Sequence, residues 1–341
     1  MLLEVKNLTT DFTTEHGVVK AVRDVSFSVG EGEIVGIVGE SGSGKSQTMF
    51  SIMGLLAENG QITSGDILFD GEQISPLHFS GSPKEFEKHL RKIRGNKLSM
   101  IFQDPLTFLN PVLSIETQLT EHIVLHQKVS HKEAKEKALE LMRTVGIPSP
   151  EERIKQYPHQ FSGGMRQRII IAIALACGPK LIIADEPTTA LDVTIQAQVL
   201  ELIRNLRDST NASIILITHD LGVVANMCDR IIIMYGGKIV EQGTDMEIFY
   251  QPKHEYTKGL LASVNDPDRD DKAPLRPIPG SPPDLLNPPK GCPFVDRCPE
   301  AMEICLNHMP EPMQLSPTHT CACWMLHAYA NQEDAREAEH E

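Results

Sequence analysis

The residues with the plainest chemical meaning form the run Gly39-Glu40-Ser41-Gly42-Ser43-Gly44-Lys45-Ser46, which matches the phosphate-loop pattern GxxxxGK[ST]. Its glycines let backbone N–H groups converge on phosphate oxygens. Lys45 brings a point charge to the β and γ phosphates of a nucleotide, and the Ser46 hydroxyl offers a ligand to Mg²⁺. A second constellation is Asp185-Glu186, which ends the apolar run Leu181-Ile-Ile-Ala. Alone, such a pair would equally well cap a helix. Downstream of a phosphate loop, Asp185 can hold the Mg²⁺ shell and Glu186 can polarise an attacking water. The base-recognition string NKxD of GTP-binding proteins is missing: Asn96-Lys97-Leu98-Ser99 lacks the Asp, which disfavours GTP.

These groups need elements to aim them. The apolar run Ile34–Val38 reads as a strand feeding the glycine cluster, and Lys45 to Leu55 as the helix that follows. Strands are expected at Leu2–Leu8 and Val18–Val29, joined through a turn at Glu15-His16-Gly17, and again at Leu181–Ala184 and Ser213–Thr218. A helix-like stretch from Val193 to Arg207 separates the last two. This alternation predicts an α/β protein with a largely parallel, covered sheet. Ser130 and Glu133 form a capping box for a helix whose Ala134, Ala138, Leu141, Met142 and Val145 share one face and which stops at Gly146. Residues 81–97 carry six Lys/Arg and read as a solvated helix and loop. After Tyr250 periodicity fades, Pro274–Pro289 reads as an extended linker, and 331–341 as a frayed or short helical tail.

The composition excludes several classes. With 32 Lys+Arg against 46 Asp+Glu in 341 residues the net charge is −14, so nucleic acid is not an expected partner. The apolar run Ile169–Cys177 is nine residues, about half of a membrane span, and the N-terminus lacks the apolar stretch of a secretory signal, so a cytoplasmic chain is expected. Residues 251–341 stand apart. They hold five of the seven cysteines and 14 of the 23 prolines, with 8 basic and 15 acidic side chains.

Between the two phosphate motifs lies Phe161-Ser162-Gly163-Gly164-Met165, which resembles the LSGGQ signature of ATP-binding-cassette ATPases, with Phe and Met in place of the usual Leu and Gln. Around it fall Gln103 in Met100-Ile-Phe-Gln-Asp-Pro (Q-loop), Ala190-Leu191-Asp192 (D-loop) and His219 in Ile217-Thr-His-Asp (switch histidine), in the order of that family. The resemblance implies a P-loop domain with a RecA-like core (about 1–95 and 168–250), an inserted helical subdomain (about 96–167) and a Cys/Pro-rich extension from 251. It implies that Gln103 approaches Mg²⁺ and the attacking water, that His219 meets the γ-phosphate, and that Phe12 stacks on adenine, for which a core role is the alternative. It also implies that Ser162, Gly163, Gly164 and Asp192 complete the site of an opposed subunit.

Tyr157-Pro-His-Gln-Phe-Ser-Gly-Gly, Asp185-Glu-Pro-Thr-Thr-Ala-Leu-Asp and His254-Glu255-Tyr256-Thr257, in place of HPYT, resemble the oligopeptide/dipeptide and nickel importers of that family. Peripheral attachment to the cytoplasmic membrane face follows from this resemblance. So do a second, homologous ATPase subunit, two permease subunits, an extracytoplasmic binding protein, and peptide as cargo with nickel as the alternative. Cys292, Cys298, Cys305 and Cys323, at C-x5-C-x6-C-x17-C, resemble the tail of this subfamily, some members of which carry a four-iron four-sulfur cluster. Four thiolates are the right count for that cluster. Structural zinc, or plain packing of the extension, remain the alternatives. Cys321 is spare, and Cys177 and Cys228 lie in core-like runs.

Overall fold

The computed structural model describes residues 1–103, 108–189, 192–263 and 277–327. The chain gathers into two compact units, one made of Met1–Leu3, Ser28–Ile34 and Leu68–Thr218, the other of Glu4–Phe27, Val35–Ile67 and His219–Glu341. In chain order the strands are β1 (Leu3–Thr14), β2 (Gly17–Val29), β3 (Ile34–Val38), β4 (Gly60–Phe69), β5 (Glu72–Gln73) and β6 (Leu98–Ile101). They continue with β7 (Leu181–Asp185), β8 (Ser213–Thr218), β9 (Arg230–Tyr235), β10 (Lys238–Thr244), β11 (Met313–Gln314) and β12 (Thr320–Cys321).

In the first unit β6, β7 and β8 run parallel, pairing Leu98 with Leu181 and Leu181 with Ser213. Every residue of the three is buried, which is why they read as continuous apolar runs without alternation. Helices Ile115–Gln127, His131–Thr144 and Gly163–Leu175 pack together beside them. The expected capping box opens the second: Ser130 Oγ accepts from the Glu133 N–H, and the Ser130 N–H donates to Glu133 Oε2 at 2.9 Å. Ala134, Ala138, Met142 and Val145 are fully buried, and Gly146 ends the turn at φ 74°. Residues 81–97 form the solvated helix Pro83–Ile93, which buries only Leu90 and Ile93.

In the second unit β3 runs parallel to β9, and β9 pairs antiparallel with β10, so the parallel expectation holds for β3 with β9 and fails at β10. β12 then joins β10 and β11 joins β12, both antiparallel. The extension therefore contributes to the sheet, although two-residue strands leave no readable pattern. The Pro-rich segment is not a free linker: along 277–289, Leu285 O accepts from the Lys20 N–H at 2.9 Å and Pro289 O from Arg23 at 2.8 Å. A helix, Glu255–Ala262, forms where periodicity had faded. Residues 331–341 lie outside those described. Cys228 is buried as expected, whereas Cys177 is half-buried with its thiol directed at His122 O.

Candidate active site

The phosphate loop belongs to the second unit. β3, buried at all five positions, delivers the chain to Gly39, where a Cβ would lie 2.1 Å from Met234 O, so only glycine passes. Gly44 has φ 98° and a Cβ there would meet Ala21 O at 2.5 Å. It also stands at the N-cap of helix Lys45–Met53 and brings no side chain to cover the helix N-terminus. That end of a helix carries a partial positive charge and donor N–H groups. The Lys45 side chain is folded inside the loop, donating to Gly39 O at 2.6 Å and Glu40 O at 2.9 Å. Ser43 is buried, Ser41 and Gly42 are exposed, and Ser46 is half-buried. Phe12, on β1, is half-buried against Gly60, whose Cβ would come within 2.5 Å of its ring.

The carboxylates belong to the first unit. Asp185 closes β7 and is 3% exposed. Glu186 follows with φ 45°, a left-handed conformation that costs a residue with a Cβ about 1 kcal/mol or more. Its N–H donates to Ile217 O at 2.9 Å, which ties the strained turn to β8. Its carboxylate is gripped from two sides: Oε2 accepts from Gln103 Nε2 at 2.9 Å and from Thr189 Oγ1 at 2.8 Å. The two residues read separately from sequence as water-handling groups are thus in contact. Asp104 and Pro105, which follow Gln103, lie outside the described residues.

Ser162 is the N-cap of helix Gly163–Leu175, accepting from the Met165 N–H. Asp192 does the same for helix Val193–Thr210, accepting from the Ile195 N–H at 3.0 Å. Ile195 packs against Gly164, where a Cβ would meet it at 2.9 Å. Ser162, Gly163 and Asp192 are exposed, so the first residue of each helix start faces outward. Ala190 and Leu191 lie outside the described residues. His219 follows β8 directly and is exposed, and Asp220 beside it caps helix Leu221–Met227.

The model of the ABC transporter family matches residues 22–189, and that of the oligopeptide/dipeptide transporter C-terminal region matches residues 240–305. Over 325 residues the chain is 54% identical to the dipeptide transport ATP-binding protein DppD of Bacillus subtilis, spanning 95% of this chain and 94% of that one. The chain belongs to the ATP-binding subunits of the oligopeptide/dipeptide ABC transporter family. It is also 50% identical over 324 residues to the oligopeptide transport ATP-binding protein OppD of Salmonella typhimurium, spanning 95% of this chain and 93% of that one. Among solved structures it resembles a dimeric post-hydrolysis state of the ATP-binding cassette MJ0796 bound to ADP and Pi. That likeness has a TM-score of 0.62 at 28% identity and covers 71% of this chain and 98% of that one.

In this ABC subunit the His254-Glu-Tyr-Thr element starts helix Glu255–Ala262. His254 is the N-cap, its Nδ1 accepting from the Tyr256 N–H at 3.1 Å. Burial pushes its pKa down to about 4, so the ring is the neutral acceptor the cap requires. Glu255 occupies the first helical position, where proline is favoured because no N–H is needed and where acidic side chains also suit the dipole. The departure from HPYT therefore keeps the helix start.

The iron-sulfur expectation for Cys292, Cys298, Cys305 and Cys323 is overturned. The four line one small cavity with His254 and Trp324. Among the described residues, however, no group of three or more His, Cys, Asp or Glu side chains is placed to hold a metal ion, which removes zinc as well. Burial pushes the Cys292 thiol up to about 12, Cys298 to about 11 and Cys323 in the same direction, and the side chains pack the extension. Sequence reasoning also missed Thr189, which holds Glu186 from three residues away, and Tyr256, whose hydroxyl accepts from the Glu40 N–H at 2.8 Å. The threonine-rich string after Glu186 was the available signal for the first.

Proposed function

We infer that this subunit binds ATP at the phosphate loop and hydrolyses it to drive peptide import through membrane permease subunits supplied by a binding protein. The observation that carries this reading is the held carboxylate of Glu186. A general base is useful only if its direction is fixed, and two donors on one oxygen fix the plane of the other. Gln103 and Glu186 handle the attacking water, and His219 meets the γ-phosphate. The buried Asp185 and the Ser46 hydroxyl are hard oxygen donors of the kind Mg²⁺ selects, and Mg²⁺ would neutralise charge developing on the phosphates. Gly39, Ser41, Gly42, Ser43, Gly44 and Lys45 cradle the phosphates, and Phe12 stacks on the adenine.

Ser162, Gly163 and Asp192, exposed at two helix starts, together with the half-buried Gly164, are suited to a nucleotide held by a second, homologous ATPase subunit, and a heterodimer is the assembly this reading takes. The cassette then runs over 1–250 with its helical subdomain at about 96–167, and 251–341 is the extension. No helix among the described residues is long and apolar enough to cross a membrane, in keeping with peripheral attachment at the cytoplasmic face through separate permeases. The curated relatives carry dipeptide and oligopeptide names, which favours peptide over nickel as cargo. Lys45→Ala tests the site: ATP binding is expected to vanish, and undiminished affinity would remove the phosphate loop from the account. Copurification with permease subunits tests the assembly.

A further inference from the structure

The second residue of the phosphate loop is an acid. Glu40 brings a carboxylate into a loop built to receive polyphosphate, and an uncompensated negative charge there opposes the ligand. The structure commits all of its polar groups. Its N–H donates to Tyr256 Oη at 2.8 Å, its carbonyl accepts from Lys45 Nζ at 2.9 Å, and both carboxylate oxygens are taken by Arg297, Nη1 to Oε2 at 2.6 Å and Nη2 to Oε1 at 3.0 Å. This parallel fork is the strongest geometry an arginine and a carboxylate can form.

Arg297 is itself immobilised. Its Nε donates to Pro279 O at 2.7 Å, Nη2 to Ile278 O at 3.2 Å and Nη1 to Tyr235 Oη at 2.9 Å. Its side chain is 5% exposed against 26% for Glu40, so this pair is screened far less than a surface one. Behind it Tyr235, Tyr256 and Phe294 form a buried aromatic cluster with ring centroids 4.4 to 5.3 Å apart. Arg297, Phe294 and Tyr256 all come from the extension, and all lie in the same unit as the loop.

We propose that the C-terminal extension is a working wall of the nucleotide site, in which Arg297 is a positioning residue that cancels the Glu40 charge and holds the phosphate loop open for ATP. The extension thereby gains a role in nucleotide affinity, separate from any in cargo or permease recognition. The proposal rests on the phosphate loop being the ATP site.

The test is a double-mutant cycle on the full-length protein, titrated with Mg·ATP and with ADP. Arg297→Ala leaves Glu40 unpaired beside the phosphates and is expected to weaken ATP binding about tenfold, or about 1.4 kcal/mol. Glu40→Gln alone is expected to bind at least as tightly as the parent. Glu40→Gln in the Arg297→Ala background is expected to restore affinity to within about twofold of the parent, whereas a loss that comes only from the missing packing and backbone hydrogen bonds of Arg297 would persist in that background. Should Arg297→Ala fail to fold, Arg297→Lys carries the test: it keeps a charge but gives up the fork, and a weakening of about threefold should likewise be reversed by Glu40→Gln. Unchanged affinity in the Arg297 variants, or a loss that Glu40→Gln does not reverse, overturns the proposal. Lys45→Ala run alongside separates the two levels: if it too binds ATP like the parent, the phosphate-loop reading itself has failed.

Discussion

Thr189→Val isolates the support of the Glu186 carboxylate, the proposed base. The substitution keeps the β-branched shape and deletes the hydroxyl that donates to Glu186 Oε2 at 2.8 Å, while the Gln103 Nε2 donor to that oxygen stays in place. A hydrogen bond to a charged group contributes about 1.5–3 kcal/mol. Glu186 and Thr189 are only half-buried, so the bottom of that range applies, about 1.5 kcal/mol, which is roughly one factor of ten. The Glu186 turn, already in a left-handed conformation, also loses a tether. The expected outcome is a fall in kcat of about tenfold with KM for ATP and the melting temperature nearly unchanged, because Thr189 lies outside the phosphate loop. Thr189→Ser, which returns the hydroxyl, should recover most of the rate. Phosphate release under saturating Mg·ATP is the assay. A Thr189→Val protein with parental kcat, or one whose loss Thr189→Ser does not repair, would refute the argument that this hydroxyl orients the base.

Two further expectations concern pH. His254 is buried neutral at about 4, against 6.5 when exposed, with Cys292 and the Glu241 carboxylate close by and Lys258 one turn on. The unfolded chain takes the proton first, so stability falls as pH drops from 6.5 towards 4 and levels off below, by about 3 kcal/mol in all. His254→Asn keeps a capping acceptor that does not titrate and should flatten urea-midpoint curves in that window; an unchanged slope contradicts the assignment. Glu247 loses its contribution in the same direction but in a lower window: burial acts to raise it, but hydrogen bonds from Ser316, Thr244 and Thr318 hold it down at about 2. Its contribution is complete above 4.5 and is lost as pH falls towards 2. Glu247→Gln should abolish that acid step and raise hydrogen exchange in residues 313–321. Equal exchange in both proteins would count against the contact.

The legible parts were those encoded locally. Ile34–Val38 followed by spaced glycines gives strand, loop and helix because the backbone there admits nothing bulkier at Gly39 and Gly44. Ser130 and Glu133 announce a helix start through bonds three residues apart. Contacts between distant segments were not legible. Motif order brought Gln103 to Glu186 across 83 positions, but nothing local linked Arg297 to Glu40 across 257. The Pro-rich segment looked like a linker because proline sets local extension but says nothing about what the extended chain lies against. Here it lies along β2. Cysteine spacing misled for a related reason: spaced cysteines suit ligation and tight packing alike, and only the placement of the side chains distinguishes them, which among the described residues forms no metal-holding group.

The central claim is that Glu186 is the base for ATP hydrolysis in this peptide-transporter subunit, and Glu186→Gln tests it most directly. The amide keeps the shape of the side chain but cannot accept the proton of the attacking water. The account predicts that the variant retains Mg·ATP, unhydrolysed, with parental or tighter affinity, while phosphate release falls by about 10² to 10⁴. Turnover close to the parental rate in Glu186→Gln would contradict it.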